Sequence, residues 1–170
     1  GKLGVEDSGK FKLVVEADAA LNSSVYLEVT EGSNEWPVEV SIAAAALKNG
    51  ATVVASNVPA GYGVIVENGV WKVVKSGVNK YVVISNADEL ISLSNTRIEN
   101  GEKVFVTADI DLDGKEFNGI SAFHPEEKNV FDGQGYTISN WTYEGGAADM
   151  GFIRQWVGPV SNINFDNCHL

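Results

Sequence analysis

The sequence predicts a mainly β chain with a solenoid in its C-terminal half, on three observations. The phrase Ile138-Ser139-Asn140-Trp141-Thr142-Tyr143 returns 22 residues later as Val160-Ser161-Asn162-Ile163-Asn164-Phe165. Both copies read β-branched, Ser, Asn, any residue, polar, aromatic, the alternation of a strand with one buried face. One strand phrase per period in the low twenties suggests a solenoid rung. The second observation is composition. Eighteen glycines in 170 residues, with many Val, Ile, Thr and Asn, favour strands and tight turns. The third is Asn68-Gly69 between two β-forming runs, because Asn-Gly supplies the two positive φ angles of a type I′ hairpin turn.

Taken in order, Phe11 to Glu16 and Val25 to Thr30 read as strands, with Asn22-Ser23-Ser24 as a turn between them. Trp36-Pro37-Val38-Glu39-Val40 reads as a short strand, with Pro37 at its start or on an edge. Ser41 to Gly50 reads as a short helix: Ser41 can cap it, four alanines favour it and Asn49-Gly50 can end it. The hairpin follows, Val64-Ile65-Val66-Glu67 against Val70-Trp71-Lys72-Val73-Val74. Lys75 to Lys80 reads as a linker. A small β-rich module with one short helix is therefore expected over residues 1–76, and a second module over 80–170.

In the second module Tyr81 to Ile84 is a strand. Ser85 or Asn86 can cap a helix whose Asp88 and Glu89 suit the positive end of the dipole. Ala87, Leu90 and Ile91 share its apolar face, and it should fade before Asn100-Gly101. Val104 to Leu112 reads as one strand, with Val104, Val106, Ala108, Ile110 and Leu112 on one face and Asp109 and Asp111 on the other. Asp113-Gly114 turns the chain. Val130 to Ile138 reads as strand, glycine corner, strand. A solenoid that stops just past the second phrase exposes a sheet-like end, where further rungs or a partner chain are expected.

The formal net charge is −11, from 12 basic and 23 acidic residues. No basic stripe is visible to displace counterions from a nucleic acid, and an anionic membrane surface would repel the chain. One cysteine, Cys168, excludes an intrachain disulfide and a thiolate metal cluster. The longest apolar run, Ile42 to Leu47, is far short of a membrane span. No signal-peptide pattern is visible, and a start at Gly1-Lys2 fits a processed or recombinant fragment.

In the order Tyr81-Val-Val-Ile-Ser, Ala87-Asp-Glu-Leu, Val106-Thr-Ala-Asp-Ile-Asp-Leu112-Asp-Gly, Phe131-Asp-Gly-Gln-Gly-Tyr-Thr-Ile-Ser-Asn140, Met150-Gly-Phe-Ile153 and Val160-Ser-Asn-Ile-Asn-Phe165, residues 81–170 resemble the opening of a right-handed parallel β-helix in bacterial surface proteins with GLUG-type repeats. Residues 59–74 are similar to the segment that closes other modules in such proteins. The resemblance implies a capping helix followed by the first β-helix rungs, in a large secreted, adhesin-like protein. It supplies no catalytic residues and no cofactor. The family carries a second glycine soon after the Gly151-Phe152 pair; here Arg154 and Gln155 follow Ile153, so tight stacking is not expected at this rung.

Candidate sites are few. Asp109, Asp111, Asp113 and Gly114 match the first half of an EF-type calcium loop, but the bidentate Glu of position 12 is replaced by Ile120, and an extended strand does not wrap a cation. Asp109 and Asp111 also stand roughly 7 Å apart as same-face neighbours, yet glycosidase carboxylates must flank the sugar from opposite sides. They are expected to solvate the outer face or bond turn amides, and no metal site is expected. Asp132-Gly133-Gln134-Gly135 reads as a corner, since no helix follows to cradle phosphate. His124 and His169 are expected to be structural or exposed. Cys168 and His169, as neighbours on a strand, face opposite ways and make no nucleophile–base pair. Trp141 and Trp156 are candidates for stacking on sugar rings. Tyr143 and Phe165 are expected to form an aromatic ladder in the core, and Asn140 and Asn162 a side-chain ladder at the turn.

The function expected is a non-catalytic, cell-surface or secreted bacterial protein presenting a binding surface, with host or bacterial glycans or surface proteins as partners. The alternatives are a glycan-binding module using Trp141 and Trp156, and a partial or inactive polysaccharide-cleaving β-helix enzyme. The last has little basic chemistry to draw on, with only Lys115, Lys128 and Arg154 after position 103.

Overall fold

A computed structural model of the chain describes residues 2–5, 12–29, 39–96, 98–122, 128–143 and 151–169. The chain is mainly β, with its strands stacked as a parallel β-solenoid of about five turns. Two compact units divide it, Gly1–Val74 and Lys75–Leu170.

The first unit contains β1 (Lys2–Val5), β2 (Lys12–Val15), β3 (Val25–Val29), β4 (Glu39–Ala43), β5 (Val53–Ser56), β6 (Tyr62–Glu67) and β7 (Val70–Lys75). β1, β3 and β5 form one parallel sheet, and β2 pairs in parallel with β4. Leu27, Val40, Ile42 and Val53 point into the core between them. β6 and β7 are joined by Asn68 (φ 52°) and Gly69 (φ 74°), the type I′ geometry expected of Asn-Gly. β7 then runs antiparallel to β4.

The helix expected over residues 41–50 is instead strand β4 running through Ala43, then a single 3₁₀ turn, Ala44–Ala46. Val40 and Ile42 alternate into the core at period two, and β2 and β7 bond both edges of β4. Two helical turns of alanine offer too little to compete with that ladder. Of the expected strand 36–40, residues 36–38 lie outside the described residues.

The second unit contains β8 (Tyr81–Ile84), helix α1 (Ala87–Asn95), β9 (Lys103–Val106), β10 (Ile110–Asp111), β11 (Ile120–Ala122), β12 (Val130–Asp132), β13 (Thr137–Ser139), β14 (Ile153–Trp156), β15 (Val160–Ser161) and β16 (Asn164–Asp166). They form three parallel sheets, ordered β8-β9-β12-β15, β10-β13-β16 and β11-β14. Asn86 caps α1, its side chain accepting from the Glu89 amide. Glu89 in turn accepts from the Ser85 amide at 2.7 Å and the Ser85 hydroxyl at 2.9 Å. Leu90 and Leu93 of α1 join a core of Val104, Val106, Ile110, Leu112, Phe131 and Ile138.

The strand expected over 104–112 is broken into β9 and β10 by a corner at residues 107–109. Of the expected inward face, Val104, Val106, Ile110 and Leu112 are buried, while Ala108, at the corner, is only partly buried. β11 and β14 pair with a register slip: Ile120 faces Ile153, but Ser121 faces Gln155. The slip leaves Arg154 as the extra residue on β14.

The repeated phrase does not mark one turn. Phe131 pairs with Val160, and Ile138 pairs with Phe165, so the turns that carry the phrase are 27 to 29 residues long, although Tyr81 pairs with Lys103 only 22 positions on. The two copies lie on different faces, the first on β13 and the second beginning on β15. What they share is a corner: Asn140, Asn162 and also Asn167 have φ of 55°, 53° and 48°. Asn tolerates this left-handed region better than most residues, which explains a Ser-Asn or Asp-Asn pair at each bend. Tyr143 and Phe165 are consequently not equivalent. Phe165 is 47% exposed and lies 5.0 Å from the Phe152 ring.

Candidate functional site

The most ordered polar feature is a set of stitches between successive turns. At each, an asparagine in the left-handed region donates its side-chain amide to an Asp or Asn on the turn before. Asn140 donates to Asp111 at 2.8 Å, Asn162 to Asp132 at 3.0 Å and Asn167 to Asn140 at 2.6 Å. In the first unit Asn49 (φ 54°) donates to Asn22 at 3.0 Å. The receiving aspartates also hold their own corners, Asp111 accepting from the Asp113 amide and Asp132 from the Gln134 amide, each at 2.9 Å. A short carboxylate that bonds the amide two residues on makes an Asx turn. One oxygen thereby shapes its own bend and ties down the next turn.

Asp109 accepts from the Thr137 amide at 2.8 Å. Both expected turn-bonding carboxylates thus bond chain amides, across turns as well as within them. The Asn140 side-chain amide, and then the Asp113 backbone amide, hold the Asp111 carboxyl below its ordinary value of 3.8. Asp113 itself is exposed at φ 41°. Among the described residues, no group of three or more His, Cys, Asp or Glu side chains is placed to hold a metal ion.

Trp141, expected to stack on sugar rings, lies in the core of the second unit. Trp141 is 4% exposed, and its indole N–H donates to the Phe117 carbonyl at 3.0 Å. Phe117 and Phe152 meet its ring edge-on, each with centroids 5.9 Å away. The pairing of Thr142 with His169 sets Trp141 beside Cys168. Trp156 is partly buried, packed edge-on to Phe131 at 6.1 Å. Trp141, enclosed by two aromatic rings, has no open face for a sugar, whereas Trp156 keeps part of its surface exposed.

His124 lies outside the described residues. His169 is exposed, its Nε2 3.1 Å from the Asn167 side-chain oxygen. The Cys168 sulfur sits against the carbonyls of Ile138 and Asp166 at 3.5 and 3.3 Å.

Two features were not legible in the sequence. The stitches at Asn22, Asn49 and Asn167 lack the repeated phrase. Their signal is an Asn recurring 27 residues on. The second is an exposed pair on the first unit's outer face: Tyr26 of β3, 49% exposed, sits opposite Val54 of β5, 39% exposed. Compared with protein-family models, curated proteins and solved structures, the chain matches none.

Proposed function

We propose that this chain is a non-catalytic, adhesin-like module of a bacterial secreted or cell-surface protein, whose solenoid presents a binding surface to glycans or surface proteins. What carries the proposal is the commitment of the corner carboxylates. Asp109, Asp111 and Asp132 each bond amides of their own chain. Their work is to fix the bends of a rigid parallel stack, which leaves the outer sheet faces as the surface on offer. The resemblance of residues 81–170 to GLUG-type surface proteins points the same way.

Glycan binding is favoured as a second reading by Tyr26 and Val54, which make a flat apolar surface of the kind that stacks on the C–H face of a sugar ring. The test is one array of glycans and surface proteins, probed with the whole chain, Tyr26→Ala and Trp156→Ala. Saturable binding is expected, with no release of reducing ends or unsaturated products from acidic polysaccharides. Product release would overturn the non-catalytic reading. Glycan binding lost in Tyr26→Ala, with cooperative melting kept, would select the glycan reading; binding confined to proteins would reject it.

A further inference from the structure

Asn129 is fully buried in the second unit. Its side-chain amide donates to the Glu99 carbonyl at 2.7 Å, and its backbone N–H donates to the Val157 carbonyl at 2.9 Å. It therefore stands at a corner between Glu99 of the preceding turn and Val157 of the following one. Three buried side-chain atoms have no hydrogen-bond partner among the described residues: Asn129 Oδ1 itself, Asn100 Oδ1 on the residue after Glu99, and Trp156 Nε1 on the residue before Val157. Each comes from a different turn, and turns in a parallel stack are about 4.8 Å apart. The backbone is close-packed here, since a Cβ on Gly158 would lie 1.9 Å from the Asn129 carbonyl oxygen.

We propose that this corner is a built site for one ordered water molecule, held by Asn100, Asn129 and Trp156 across three successive turns. Two carbonyl oxygens and one N–H are the complement of a water, which has two protons to donate and lone pairs to accept with. A bare cation would satisfy the oxygens but face the indole proton. An anion would satisfy the indole and meet both oxygens. The Asn129 amide orientation is set by its bond to Glu99. Were the Asn100 amide turned over, the water would accept twice and donate once, so the match holds either way. Buried waters of this kind satisfy polar groups that the chain cannot pair. The water would do inside the stack what the asparagine stitches do outside it.

A crystal structure of the whole chain that resolves ordered solvent tests this directly. A density peak is expected at about 2.7–3.2 Å from Asn129 Oδ1 and from Asn100 Oδ1 or Trp156 Nε1. No peak there, or the indole N–H bonded directly to Asn129 Oδ1, overturns the proposal. In solution, the Trp156 indole N–H should show a cross-peak to a long-lived water. The Trp156→Phe variant identifies that signal among the four tryptophans. Asn129→Leu should abolish the cross-peak while the indole signal remains. An assigned indole with no water cross-peak in the unaltered chain would also overturn the proposal, whether or not the variants fold.

Discussion

The Asp111 carboxylate receives one amide from its own bend and one from the turn that follows, and both bonds favour its charged form. Because the folded-state pKa is depressed, the stabilisation is complete above the ordinary value of 3.8 and is lost as pH falls through the lower folded value. Asn140→Gly removes the donor yet accommodates φ 55°. The carboxyl of Asp111, followed by NMR titration, should then move up toward 3.8. The stability gap between the two proteins should close at the acid end. An unmoved titration would mean that the Asp113 amide alone sets the shift. Gly133 is a different kind of residue, needed for space. A Cβ there would lie 2.4 Å from the Asn162 carbonyl oxygen and 2.6 Å from the Ile163 Cα. Gly133→Ala should cost about 1–3 kcal/mol in urea unfolding, as overpacking does; a cost below about 0.5 kcal/mol would show that the corner can shift freely. At this scale the sequence was partly legible. Asn140 and Asn162 stood out through their shared phrase, and Asp109 and Asp111 as turn-bonding groups. The fate of Trp141 was not legible, because a strand side chain changes face with a one-residue change of register. That register depends on the true turn length.

Among the elements, α1 is the one held chiefly by local chemistry. It spans nine residues, too few to persist without a cap and a packed face. Asn86 supplies the cap, and Leu90 and Leu93 supply the face. Asn86→Ala should therefore cost about 1 kcal/mol, read from the urea midpoint at unchanged m-value; no change would mean that burial of Leu90 and Leu93 suffices. This helix and the Asn68-Gly69 hairpin could be read directly, since their signals lie within a few residues. The Ala-rich stretch misled for the opposite reason: Val40 and Ile42 belong to a sheet whose other strands, β2 and β7, come from distant sequence. The 104–112 strand misled because apolar positions on both sides of the corner point inward, so alternation alone shows no break. The 22-residue repeat misled because corners, not turns, reuse the Ser-Asn pair.

Across the whole molecule, charge is the property that acts on every turn at once. A chain with 23 acidic and 12 basic residues repels itself when compact. Ion pairs such as Lys115 with Asp88, at 2.7 Å with both side chains largely exposed, offset little of that repulsion. The stitches do not depend on opposite charge, since each is an amide donating to an oxygen. Added salt should therefore weaken the repulsion and leave the stack's own bonds intact. Between about 10 mM and 150 mM NaCl the screening length falls from about 30 Å to about 8 Å. A gain of roughly 1 kcal/mol would appear as a rise in melting temperature of about 2–4 °C for a chain of this size. Calorimetry at neutral pH, well above the pI of about 4.5, is the measurement. A melting temperature that fell with salt would mean that specific ion pairs outweigh the net charge. A rise that disappears as the pH approaches the pI would assign the effect to the acidic excess, because protonation then removes the repulsion that salt would otherwise screen.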